Sequence, residues 1–188
     1  MIIVYNYKIE RGYAMDAGTR VYINNVTQRI MDGLEVQTPL ENIDELVERL
    51  GGRISSENAL IGDTDGKVYK TQDASFVIEI SPTQSFERRN FTIAHELGHL
   101  FLHMGYLTSP KTWECFPENV PFERKGNSEE EYQANEFAAA LLMPKNIFIQ
   151  KVNEYAIDGF VDMKKVAEYF RVSPSAAVNR GRFLRIIS

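Results

Sequence analysis

Asn90-Phe91-Thr92-Ile93-Ala94-His95-Glu96-Leu97-Gly98-His99-Leu100-Phe101-Leu102-His103 is the most informative run in this chain of 188 residues. Phe91, Ile93, Ala94, Leu97, Leu100, Phe101 and Leu102 make an apolar helix, and His95, Glu96 and His99 interrupt it. Residues i and i+4 lie on one helical face, about 6 Å apart along the axis. Two imidazoles so placed can converge on one ion, with Zn–N distances of about 2.0–2.1 Å. Glu96 follows the first imidazole directly, where it can reach a metal-bound water without itself ligating the metal. The alternative is a pair of core histidines satisfied by hydrogen bonds. Burying two imidazoles and a carboxylate without partners or a metal costs on the order of several kcal/mol, which favours coordination.

A zinc ion that does chemistry takes three protein ligands and keeps a fourth position open. His103 lies on the same face but about 12 Å along the axis from His95, too far to share an ion with it. It reads as a helix C-terminal residue, with a role at the site as the lesser alternative. Cys115, the single cysteine, is an unconvincing ligand. That leaves an acid. The segment from Glu129 to Pro144 reads as a helix, with Ser128 as N-cap, Glu131 at the capping-box position and Pro144 at its end. Glu131 and Asn135 share one face. The carboxylate there can take the third ligand position, and the amide one turn later can orient an imidazole through its ring nitrogen. Equally, Glu129 to Glu131 can simply decorate a helix N-terminus, where the dipole favours acids. Ala138 to Ala140 would let this helix approach the His95 helix closely.

The rest of the chain frames the site. Thr38-Pro39-Leu40-Glu41 reads as a capping box with proline at the first helical position. Ile43, Leu46, Val47 and Leu50 follow at helical spacing, and Gly51-Gly52 stops the helix. A weaker helical pattern spans Asp16 to Asp32, and residues 1–15 are an ambiguous lead-in. From Arg53 to Ile80 the pattern is extended: Asp63-Thr64-Asp65-Gly66 signals a turn, and Ser75 to Ile80 is the best strand. Helices are predicted at about 87–104, 128–142, 145–156, 161–170 and 174–186. Between the first two lies Gly105 to Asn127, a loop of a length that is usually either functional, here able to cover the site, or disordered. The expected class is α+β: a small antiparallel sheet of about three strands, a helical majority, and a helix-turn-helix-like segment at the C-terminal end.

Taken together, the Arg89–His99 block and the Glu131-x-x-Ala134-Asn135-x-Phe137-Ala138-Ala139-x-Leu141-Leu142-Met143-Pro144 block resemble the ImmA/IrrE family of zinc metallopeptidases. The stretch from Val166 to Ala176 fits as well, and the resemblance runs from about residue 40 to 185. It implies a thermolysin-like site with one catalytic Zn2+ on His95, His99 and Glu131, with Asn135 beside a ligand and Glu96 as general base. It also implies an endopeptidase that cleaves a separate helix-turn-helix repressor and so derepresses mobile-element or stress-response genes. Candidates for an oxyanion donor are Tyr106, Tyr132 and the 105–127 loop. The strand through Phe76 and Ile78 either pairs with an extended substrate or is simply core sheet, and the residues favour neither.

A net charge of −5 and a pI near 5.3 do not suit a coat for nucleic acid or for an anionic membrane. No run approaches the roughly 20 apolar residues of a membrane span. With one cysteine and no basic leader, the expectation is a cytoplasmic protein. Residues 1–158 are expected to form the peptidase domain and 159–188 a helix-turn-helix-like segment packed on it. That segment carries Lys164, Lys165, Arg171, Arg180, Arg182 and Arg185 against Asp162 and Glu168. It motivates the rival reading, a non-catalytic DNA-binding or protein-docking regulator with a structural zinc. Recognition helices present polar and basic side chains to base edges, whereas Ala176, Ala177, Val178, Phe183, Leu184, Ile186 and Ile187 make this one largely apolar. Direct DNA binding is therefore not expected.

Overall fold

Side chains that cap, stop and bury each segment set the order of elements. The computed structural model describes residues 15–56, 65–72, 75–122 and 128–187; all but the last residue of the 1–15 lead-in, part of the Asp63–Gly66 turn signal and the end of the 105–127 loop lie outside them. Helix α1 (Ala17–Gly33) starts at Asp16, whose carboxylate accepts from the Thr19 amide, and buries Ile23, Thr27 and Met31. Helix α2 (Ile43–Arg49) buries Ile43, Leu46 and Val47, with Leu50 at its C-cap and Gly51 at φ +78° just beyond. The expected capping box at Thr38 does not form. Asn42 is the cap instead, its side chain accepting from the amides of Asp44 (3.1 Å) and Glu45 (3.3 Å). One oxygen that satisfies two orphan amides, with two acids in the first turn, fixes a later start.

Strands β1 (Gly52–Ser55), β2 (Gly66–Lys70) and β3 (Phe76–Ile80) form one sheet in the order β1-β3-β2. The sheet is mixed, not purely antiparallel: β2 runs against β3, but β1 runs parallel to it, Ile54 opposite Ile78. All five β3 residues are buried, as befits a strand with a neighbour on each side. Helix α3 (Phe86–Leu102) is capped by Ser85 and packs under β2 and β3. Arg89 near its start makes a two-pronged ion pair with Asp44 of α2, both contacts 2.7 Å.

A short helix, α4 (Pro110–Cys115), interrupts the long loop. Helix α5 (Glu129–Leu142) crosses α3, and α6 (Lys145–Glu154) follows. A two-stranded hairpin, β4 (Ala156–Ile157) and β5 (Phe160–Val161), stands where the sequence suggested the end of one helix and the start of another. Helices α7 (Met163–Phe170) and α8 (Pro174–Phe183) pack together through Val166, Ala167, Phe170 and Ala177, joined by a turn with Arg171 at φ +55°. Helix α8 stops short of the expected residue 186, because the chain doubles back and the Ile186 amide bonds the Gly181 carbonyl at 2.9 Å. Arg180 is buried in an ion pair with Glu136 of α5 at 3.1 Å and also donates to the Met143 carbonyl at 3.2 Å. Among the described residues no helix is long and apolar enough to cross a membrane. The fold is α+β.

Candidate metal centre

The close approach of α3 and α5 builds the site. Gly98 makes it possible: a Cβ there would sit 2.9 Å from Ala134 Cα and 3.0 Å from the Ala134 carbonyl oxygen. The crossing therefore turns on Gly98 against Ala134, one turn upstream of the alanine run that the sequence pointed to. His95 and His99 face α5 from one side of α3, and Glu131 faces them from the first turn of α5. Ser128 occupies the N-cap position, but its hydroxyl caps no amide. The Glu131 carboxylate turns to the imidazoles instead.

His95 Nε2 and His99 Nε2 are 3.0 Å apart. The two Glu131 carboxylate oxygens face them, Oε2 at 3.2 Å from His95 and Oε1 at 3.2 Å from His99. Donors bound tetrahedrally at about 2.0–2.1 Å stand roughly 3.3 Å apart, so this spacing matches what a zinc ion requires. The opposite edge of each ring is also engaged. His95 Nδ1 lies 3.0 Å from Asn135 Oδ1, and His99 Nδ1 lies 3.1 Å from His103 Nδ1. The Asn135 oxygen can only accept, so His95 carries its proton on Nδ1 and turns the Nε2 lone pair inward. His95, His99 and Glu131 thus form a group able to hold a metal ion.

Protonation points the same way. Burial holds His99 below the ordinary imidazole range, against the opposing pull of Glu131. Burial alone would raise the Glu131 carboxyl, but hydrogen bonds from the facing His95 and His99 rings, when these carry a proton on Nε2, outweigh it and hold the group well below the usual carboxylate range. A neutral imidazole beside an ionised carboxylate is the form in which these side chains ligate a cation. Glu96 is buried at the same level of α3. A Cβ on Gly66 of β2 would meet its Oε1 at 3.2 Å, so the glycine leaves space where the carboxylate faces the sheet.

Other candidates fall elsewhere. Tyr106 is buried among Phe76, Phe101 and Trp113 and its hydroxyl donates to the Leu50 carbonyl, so it is engaged in the core and not available as an oxyanion donor. Phe76 and Ile78 are fully buried in the middle strand. With β1 and β2 on either side, β3 has no edge to offer an extended substrate. The edge strands are β1 and β2, and β2 is the one beside the loop. Loop residues lie along it: the Asn119 amide bonds the Lys70 carbonyl at 2.7 Å and the Phe122 amide bonds the Val68 carbonyl at 3.0 Å. Lys70 Nζ in turn donates to the Trp113 carbonyl at 3.0 Å. The Phe122 ring stacks on His99, centroids 4.8 Å apart, and on His103 at 5.5 Å. Tyr132 follows Glu131 on α5, half-buried.

Residues 47–181 match the family model of the IrrE N-terminal-like domain, a peptidase domain. No curated protein matches the chain. Among solved structures it is similar to a Mycobacterium tuberculosis transcriptional regulator, with a TM-score of 0.57 and 16% identity. That likeness covers 85% of this chain but 46% of the regulator, so the chain spans less than half its length. At that identity the likeness extends to the fold alone.

Proposed function

From the premise that this chain belongs to the family of IrrE N-terminal-like peptidase domains, we propose that it is a zinc-dependent endopeptidase acting on a protein substrate in the cytoplasm. The observation that carries the reading is the convergence of three side chains from two helices: the imidazole nitrogens stand 3.0 Å apart, each lies 3.2 Å from one of the two Glu131 oxygens, and each ring is braced on its far side. His95, His99 and Glu131 would hold the ion, with Asn135 orienting His95. When bound, zinc supplies Lewis-acid activation of water and of the scissile carbonyl. The work of this chain's own residues is proton transfer and positioning. The Glu96 carboxylate accepts the proton of the attacking water and delivers it to the leaving amine. Gly66 and β2 bound the space beside that carboxylate.

The resemblance to repressor-cleaving peptidases makes a separate helix-turn-helix repressor the proposed substrate. The test incubates the purified chain, with zinc or with a chelator, against the repressor encoded beside its gene and follows cleavage by mass spectrometry. Zinc-dependent cleavage by the native chain, and none by a Glu96→Gln variant that still binds zinc, is the expected result. Cleavage that survives in Glu96→Gln would remove Glu96 from the reaction.

The rival reading, a DNA-binding or docking regulator, drew on the basic balance of residues 159–188. Arg180 does not contribute to an exposed basic face, because Glu136 pairs it in the core. If DNA were bound through phosphates, affinity would fall steeply with salt.

A further inference from the structure

The third histidine stands apart from the three donors, and its role follows from the direction of a chain of hydrogen bonds. His103 is the C-cap of α3, half-buried. Its Nδ1 lies 3.1 Å from His99 Nδ1, and its Nε2 lies 3.0 Å from Gln133 Oε1. Gln133 Nε2 donates to Glu129 Oε1 at 3.1 Å. A carboxylate only accepts and an amide nitrogen only donates, so the polarity of the series is set from its outer end. Gln133 gives its N–H to Glu129 and offers its oxygen to His103. His103 must therefore donate from Nε2, which leaves Nδ1 of the neutral ring as an acceptor. His99 must then donate from Nδ1, and its Nε2 is left with a lone pair directed at His95 and Glu131.

We propose that His103 is the positioning residue for His99, the counterpart of Asn135 at His95, and that it fixes which nitrogen of His99 faces the metal. The inference rests on the metal reading above and deepens it. His99 is fully buried, so its Nδ1 proton has no access to solvent and needs an acceptor inside the protein. Phe122, lying 29° from the plane of His99 and 19° from that of His103, presses the two rings into place. Partners of this kind set ligand tautomer and orientation, and their loss lowers metal affinity about 10–100-fold.

The test uses the full chain, 15N-labelled at histidine and loaded with zinc. Expected is a through-hydrogen-bond coupling between the two Nδ1 atoms of His99 and His103, a signature that mere packing would not produce. His103→Leu should lose zinc affinity about 10–100-fold in chelator competition. His103→Asn, whose Oδ1 falls near the place of Nδ1, should recover most of it. Absence of the coupling, or zinc binding by His103→Leu as tight as in the native chain, overturns the proposal. If His103→Leu does not fold, as judged by circular dichroism, the comparison passes to His103→Asn and Gln133→Met. Native-like affinity in the first and a measurable loss in the second are then expected; a loss in neither, or in both equally, refutes it. Failure of the native chain to take up zinc at all would sink the metal reading itself, a distinct result.

Discussion

Gly98→Ala probes the crossing on which the site depends. The added Cβ would stand 2.9 Å from Ala134 Cα, where ordinary contact is 3.4–4 Å, so α3 and α5 must separate by about 0.5–1 Å. Overpacking of this kind costs about 1–3 kcal/mol. Alanine returns about 1 kcal/mol through its better helix propensity, leaving a net loss of about 0–2 kcal/mol. For a chain of this size that lowers Tm by no more than about 8 °C. Metal geometry is less forgiving, with a tolerance of about 0.2 Å in each bond. Glu131 lies one turn before Ala134, so the same separation carries the carboxylate away from both imidazoles. Zinc affinity should therefore fall at least tenfold while the fold survives, read by chelator competition beside thermal melts. Gly33→Ala is the control, since nothing lies within 4 Å of the added Cβ; it should gain about 0.4–1 kcal/mol and bind zinc normally. Unchanged affinity in Gly98→Ala together with a raised Tm would mean that the helices do not meet at that glycine.

Arg180→Met leaves Glu136 buried without its cation and should cost about 3–5 kcal/mol in denaturant unfolding, while the double variant with Glu136→Leu should cost clearly less. An additive double variant would show that the pair is not coupled. Tyr106→Phe removes one hydrogen bond to Leu50 and should cost about 0.5–1.5 kcal/mol with turnover unchanged; a large drop in kcat would restore the hydroxyl to the reaction.

Much of this arrangement was legible in the residues. Helical spacing identified α2, α3 and α5, and the apolar run at Phe76–Ile80 identified the buried strand. The His95–His99 spacing and the Glu131–Asn135 pair marked the residues that now stand together. What escaped has physical causes. Alternation of side chains marks strands but not their pairing direction, so the parallel alignment of β1 was invisible, as was the central position of β3. The β4–β5 hairpin does have a sequence signal: Asp158-Gly159, both at positive φ, is the pairing a tight turn favours. His103 stands too far along the axis from His95 to share an ion with it. That distance is irrelevant to its actual neighbour, His99, one turn away. Arg180 counted as surface charge because sequence alone does not reveal a partner 44 residues upstream.

The loop segment lying on β2 has a thermodynamic corollary for selectivity. A peptide aligning there would meet two carbonyls, of Val68 and Lys70, already engaged by amides of the same chain. Swapping one amide donor for another leaves the tally of backbone bonds where it was, and such exchanges are worth little on balance. Discrimination between one polypeptide and the next then falls to side chains, and a sequence able to displace the Phe122 ring from its stack on His99 would have the advantage.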